Sequence, residues 1–194
     1  MVRFVQIFAL PLLLISVSSC SRNPVIVFET DLGSIEAELY IKEAPITAGN
    51  FLRHIDSGTF VEHQALFYRV VRPNNQPYSA VKIVVIQGGL FEDDLVDSIL
   101  PIEHETTQTT GILHTDGVLS MARNEPGTAS TEFFICIGNH PGLDYGGSRN
   151  SDGQGFAAFG KVIKGMDVVL QIQELPDERQ YLLEPVPILS IRRK

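Results

Sequence analysis

Apolar and polar residues alternate most cleanly at 35–41, where Ile35, Ala37, Leu39 and Ile41 share one face and Glu36, Glu38 and Tyr40 the other. Period-two alternation predicts a strand with one buried face. Val25 to Phe28 is apolar too, and the turn Thr30-Asp31-Leu32-Gly33 predicts that the two segments form a hairpin. The spacing then changes. Ala48, Phe51, Leu52 and Ile55 recur at the helical interval, after Pro45 and Thr47 and before Gly58, which predicts a helix with a single buried stripe. Short strands are predicted at 66–71, 83–87, 117–122, 132–137 and 156–162, separated by stretches rich in Gly, Asn, Pro and Asp. A second helix is predicted from Gly165 to about Gln173, with Met166, Val169 and Leu170 inward and a stop at Leu175-Pro176. A strand over 186–191 ends the chain. Many short strands, few helices and long polar connections predict a mainly β domain, closed as an antiparallel barrel so that no edge is exposed.

The first residues break this pattern. Arg3 precedes an apolar run from Phe4 to Val17, interrupted by Gln6, Pro11 and Ser16. The run is too short for a comfortable bilayer span but suits the core of a signal peptide. Its end, Val17-Ser18-Ser19-Cys20, resembles the lipobox of bacterial lipoproteins, in which cleavage precedes a cysteine that receives lipid. The division predicted is a signal peptide over 1–19, a lipid-anchored linker over 20–24 and one globular domain over 25–194. The alternative is a plain secretory signal cut near Ser18 or Ser19, with Cys20 incidental. A lipid on Cys20 would place the domain in the cell envelope, on the periplasmic side of a bacterial membrane. It would also leave the second of the two cysteines, Cys136, unpaired. Cys136 lies in the apolar run 133–137, where an inert buried thiol is expected.

Charge narrows the range of partners. With 23 acidic and 15 basic side chains the formal charge is -8, which repels phosphate backbones and argues against nucleic acid. His104-Glu105 starts like a zinc-protease helix, but Gln108 stands where the second ligand belongs, so no metal is expected. Ser120 lacks the flanking glycines of a nucleophile elbow, and the glycines at 153, 155 and 160 do not have dinucleotide spacing. No cofactor is expected. The strand pattern does offer a site. Val85 and Gln87 share one face of a strand, as do Glu132 and Phe134 on another, so an apolar floor can lie beside hydrogen-bonding groups.

Several segments carry a family resemblance. Phe67-Tyr68-Arg69-Val70-Val71 is similar to the Phe-His-Arg segment of the cyclophilins, with Tyr68 for the usual histidine. Ile86-Gln87-Gly88-Gly89 resembles their Gln-Gly-Gly step. Gly117-Val118-Leu119-Ser120-Met121-Ala122, followed by Glu132-Phe133-Phe134-Ile135, resembles their central signature. Leu143-Asp144, Phe159-Gly160-Lys161-Val162 and Gly165-Met166-Asp167 continue the match, which runs from Val25 to about Gln173.

The resemblance implies a closed eight-stranded barrel capped by two helices and a peptidyl-prolyl cis-trans isomerase acting on proline-containing polypeptides; a monomer is expected. It implies that Arg69 hydrogen-bonds around the prolyl amide and that Gln87 orients Arg69 or the substrate carbonyl. Val85, Phe134 and Leu143 would hold the proline ring, with Val84 at the rim. The backbone of Ala122, Arg123 and Asn124 would pair with the extended peptide. Several positions depart from the family pattern. Val84 and Val85 replace a phenylalanine and a methionine, which implies a roomier or shallower pocket. Glu132 replaces a glutamine and, if ionised, would pair with Arg69, so that Glu132→Gln would preserve or raise activity. Phe156 replaces a histidine near the end of the groove. Gly142 replaces a tryptophan that favours cyclosporin, which implies weak sensitivity to that cyclic peptide. The segment 145–155 is an insert expected to form a surface loop. The rival reading is a binding module of the same fold that recognises proline segments without isomerising them.

Overall fold

The computed structural model describes residues 22–194. The signal peptide over 1–19 and the lipid site at Cys20 lie outside them. Strands β1 (Val25–Thr30) and β2 (Gly33–Leu39) form the expected hairpin, with Phe28 opposite Ile35 and Ile26 opposite Ala37. Thr30 closes the turn by donating its hydroxyl to the Gly33 carbonyl at 2.8 Å. Gly33 has φ +132, and a Cβ there would meet Val168 at 2.8 Å, so both the backbone and the space require glycine.

Helix α1 (Pro45–Asp56) buries Ala48, Phe51, Leu52 and Ile55 as the spacing predicts. Its N-cap residue is Ala44, which has no capping side chain. The exposed N–H groups are met from far along the chain: the Glu105 carboxylate accepts from the N–H of Ile46 at 3.2 Å and of Thr47 at 2.6 Å, and from the Thr47 hydroxyl at 2.6 Å. A negative charge suits this end of a helix. Glu105 is therefore a helix cap.

The remaining elements are α2 (Thr59–Glu62), β3 (Leu66–Val71), β4 (Val85–Gly89), α3 (Asp93–Ser98), α4 (Thr107–Thr110), β5 (Val118–Met121), β6 (Phe133–Cys136), β7 (Ala157–Lys164), α5 (Met166–Glu174), β8 (Asp177–Glu178), β9 (Tyr181–Pro187) and β10 (Ser190–Arg193). Among the described residues the strands form one sheet of ten, in the order β10-β1-β2-β7-β5-β6-β4-β3-β9-β8, with antiparallel neighbours throughout. The fold is mainly β, but it differs from the expected closed eight-stranded barrel. The ladder has ten strands and is not closed, since β10 and β8 end the order without pairing to each other. The last segment, predicted as one strand, divides into β9 and β10 at Ile188-Leu189. Those two residues bridge the gap through backbone bonds from Ile188 to Ala65 at 2.9 Å and from Leu189 to Glu29 at 2.8 Å.

The sheet wraps a core containing six fully buried phenylalanines, Phe28, Phe51, Phe60, Phe67, Phe133 and Phe159. The two predicted helices pack on it: α1 against β7 and β10, α5 against β2, β3 and β4. Val168, Val169 and Ile172 face inward from α5, whereas Leu170 is exposed, contrary to the expected stripe. Helices α2, α3 and α4, of four to six residues, were missed because they are too short to show a helical period.

Candidate active site

The site lies on the outer face of β3, β4 and β6. In β3 the register shifts between Phe67, opposite Gly88, and Arg69, opposite Gln87, so Tyr68 is an extra residue in the ladder. Phe67 and Val70 enter the core, while Tyr68 and Arg69, although consecutive, both line the outer groove. Arg69 faces Gln87 across β3 and β4, and Gln87 faces Phe134 across β4 and β6. Directly opposed side chains on neighbouring strands lie within contact distance. Three adjoining strands therefore present a guanidinium, an amide and an aromatic ring in one row.

A second apolar cluster, separate from the core, carries the aromatic end of this row: Val71, Ile83, Val85, Phe134, Cys136 and Leu143, with Ala122 and Phe156 packed against it. The Phe156 ring meets Phe134 edge-on at 5.4 Å. Burial pushes the Cys136 thiol well up, which fits an inert packing role. The groove above the cluster has a volume of about 850 Å³, and its lining includes Arg69, Gln87, Phe134 and Leu143.

The guanidinium is held on two sides. Arg69 Nη1 donates to Gln87 Oε1 at 2.8 Å, while Nε and Nη2 donate to Gln180 Oε1 at 3.0 and 2.6 Å. Gln180 is fixed in turn: its side-chain nitrogen donates to the Asn75 carbonyl at 2.9 Å and its N–H to Asp177 at 3.0 Å. The remaining N–H groups of Arg69 have no partner among the described residues. Sequence reasoning missed Gln180, which is 111 positions away in a turn with no motif.

Glu132 does not pair with Arg69. Its Oε2 accepts the Tyr68 hydroxyl, and its Oε1 accepts the N–H of Leu90 at 2.6 Å. Gln87 Nε2 donates to the Tyr68 oxygen at 2.7 Å. Burial raises the Glu132 carboxyl above its ordinary value, against the lowering effect of the bonds it accepts. Burial, followed by the neighbouring carboxylate, pushes the Tyr68 phenol up.

Of the other expected site residues, Val85, Ala122, Arg123, Asn124, Glu132, Phe134, Leu143 and Phe156 all line the groove. Val84 does not; Ile83 stands there instead. Ile83 is two positions from Val85 and so shares its face, a signal available in the period-two pattern. Along 122–124, the N–H of Ala122 donates to Glu132 at 2.8 Å and that of Asn124 to the Thr128 hydroxyl at 3.1 Å. Among the described residues the N–H of Arg123 is the one donor in that segment without a partner, so it is the N–H left for the expected backbone pairing. The Arg123 side chain is committed to the insert: it makes a two-pronged bond to Asp152, each arm 2.9 Å, and its guanidinium lies 5.2 Å from the Phe156 ring centre.

Residues 25–193 match the family model described as "Cyclophilin type peptidyl-prolyl cis-trans isomerase/CLD". The peptidyl-prolyl cis-trans isomerase of Acinetobacter baylyi is 36% identical over 180 residues, covering 89% of this chain and 86% of that protein. Peptidyl-prolyl cis-trans isomerase B of Escherichia coli is 30% identical over 166 residues, covering 84% and 92%. A crystal structure of a Cryptosporidium parvum cyclophilin-type isomerase superposes with a TM-score of 0.68 at 20% identity, covering 89% of this chain and 98% of that one. A second structure of that protein, in the presence of the dipeptide Ala-Pro, gives 0.67. The chain belongs to the cyclophilin-type peptidyl-prolyl cis-trans isomerase family. Its reaction is rotation about the X-Pro peptide bond.

Proposed function

We propose that the chain isomerises X-Pro bonds of exported polypeptides in the groove over Phe134, with Arg69 as the catalytic group. Rotation about an amide is opposed by a barrier of about 18–20 kcal/mol, because the nitrogen lone pair is delocalised into the carbonyl. X-Pro isomers lie close in energy yet exchange slowly. No bond is broken, so the site has to bind the twisted amide better than the planar one. Val85, Phe134, Leu143 and Ile83 seat the proline ring. The Arg69 guanidinium, beside that floor, donates to the prolyl amide as the nitrogen leaves conjugation, and Gln87 holds the guanidinium in place.

The observation that carries this reading is the Arg69–Gln87–Phe134 row beside a separate apolar cluster. A protease-coupled assay on an Ala-Pro tetrapeptide tests it. Arg69→Ala is expected to lower kcat/KM by about a hundredfold or more, the scale for loss of a transition-state donor. Equal rates for the variant and the wild type, with peptide binding retained, would instead favour a binding module.

The address is part of the proposal. Arg3, the apolar run 4–17 and Val17-Ser18-Ser19-Cys20 support export and lipid attachment at Cys20, with a monomeric domain held in the cell envelope. Mass spectrometry of the mature N-terminus is expected to find acylated Cys20 as the first residue. An unmodified terminus at another residue would refute the anchor.

A further inference from the structure

Four side chains form one hydrogen-bonded line: Arg69 donates to Gln87, Gln87 donates to Tyr68, and Tyr68 donates to Glu132. The two ends differ in kind. A guanidinium can only donate, and an ionised carboxylate can only accept. Everything between them is reversible in principle, because an amide can turn over and a hydroxyl can rotate. With both ends fixed, only one arrangement satisfies every member: the Tyr68 proton points to Glu132, the Gln87 nitrogen points to Tyr68, and the Gln87 oxygen points to Arg69.

We infer that Glu132 and Tyr68 are positioning residues that keep the Gln87 amide oxygen turned toward Arg69. This rests on the reading of Arg69 as the catalytic group. The carboxylate is itself anchored: it accepts from the N–H groups of Leu90 and Phe91 at 2.6 and 3.4 Å and from the Thr131 hydroxyl at 3.4 Å. It also sits against Gly89, at φ +148, where a Cβ would lie 2.1 Å from Glu132 Oε1. No side chain larger than glycine can stand there while the carboxylate holds its place. Phe91 and Tyr181 enclose the phenol, at ring separations of 4.8 and 6.4 Å.

Reversing one end reverses the line. In Glu132→Gln the side-chain oxygen stays on the Leu90 N–H, so the new NH2 faces the Tyr68 oxygen. The phenol proton then finds an acceptor only if the Gln87 amide turns, which sets NH2 against the Arg69 guanidinium. Donor faces donor, and Arg69 is pushed from its seat. The expected outcome is therefore the opposite of the one that a Glu132–Arg69 pair implies, in which Glu132→Gln preserves or raises activity.

The test uses Glu132→Gln, Tyr68→Phe and their double variant in the full chain, with Arg69→Ala as reference. Each single variant is expected to lower kcat about tenfold with KM little changed, less than the hundredfold that misplacing a reacting group costs. Because both act through Gln87, the double variant is expected to match the singles rather than multiply them. The Gln87 side-chain amide is also expected to change its NMR shifts in both singles. If the wild type fails to catalyse, the isomerase reading falls. If the wild type is active but Tyr68→Phe and Glu132→Gln retain full kcat and an unchanged Gln87 amide signal, this inference falls. Should Glu132→Gln not fold, Tyr68→Phe alone decides.

Discussion

The imidazole of His114 lies nearly parallel to the ring of Phe134, with centroids 6.0 Å apart and planes inclined by 16°. His114 is itself clamped: Nδ1 is 2.7 Å from Asp144 Oδ1 and Nε2 is 2.9 Å from the Ser120 hydroxyl. The three residue types are those of a hydrolase triad, but Ser120 is 0% exposed, beyond the reach of any substrate. Here they brace Phe134, on the floor of the groove, from beneath. His114→Ala is expected to cost about 2–4 kcal/mol, combining a cavity with buried partners left unpaired. Urea unfolding would measure it, and a raised KM for the tetrapeptide should accompany it as Phe134 loses its support.

Glu132 gives the molecule a pH dependence with a definite sign. Burial, the largest influence, raises its carboxyl above the ordinary 4.5. For an acid with a raised folded value, the folded state holds the proton more tightly, so the associated stability is present below pH 4.5 and is lost as pH rises through the folded value. Activity should move the other way. A protonated Glu132 would donate to Tyr68, so catalysis is expected to fall as pH drops through that raised value. Nearby Arg69, Tyr68, Glu92 and Asp93 also line the groove and remain in both proteins being compared. Glu132→Gln should be slow throughout and lack this acid limb, which a kcat-against-pH profile would reveal. An identical limb in the variant would assign it to another group.

The insert 145–155 is fastened at two points, one to the segment 76–81 and one to Arg123 in the wall of the groove. Arg149 Nη1 donates to Gln76 Oε1 at 2.8 Å, to the Val81 carbonyl at 2.6 Å and to the Ser79 hydroxyl, while Asp152 receives Arg123. Arg149 and Asn150 line the groove themselves. Arg149→Ala is expected to raise KM about three- to tenfold with kcat unchanged, in line with about 1 kcal/mol of lost substrate positioning. Progress curves across substrate concentration would separate the two constants.

Cyclosporin should inhibit weakly. A side chain at Gly142 would begin 2.5 Å from Val81 Cγ1, so the indole that favours this ligand in the family could enter only with a shift of Val81. Gly142→Trp is accordingly expected to lower the melting temperature without restoring tight inhibition. A nanomolar inhibition constant for the wild type would contradict this.

Much of the fold could be read from the chain because its signals are local. The hairpin at 25–39, the Pro45 helix and the strand at 66–71 follow from periodicity and turn chemistry alone. The sheet's ends could not be read in this way, since Ile188-Leu189 looks as β-prone as its neighbours and only its partners at Ala65 and Glu29 set it apart. At the site, Arg69, Gln87 and Phe134 were legible through motifs, and their alignment follows from cross-strand register. Glu132 was misassigned because its partner is decided by which of two adjacent residues, Tyr68 or Arg69, reaches it. Glu105 stands in a segment whose resemblance to a metal motif fails at Gln108, and its actual role, capping a helix 58 positions earlier, has no local signal.

The extra residue in β3 sets limits on how this site can vary. Which way the guanidinium faces is decided by a count of peptide units, and the identity of the neighbouring side chain does not enter that count. Exchange of residue 68 for another side chain leaves the arginine turned outward, so such a change acts on the guanidinium through Gln87 and not through the direction it faces. Paired one-for-one with no extra residue, Tyr68 would oppose Gln87 and the permanent positive charge of Arg69 would turn toward a core filled with phenylalanine.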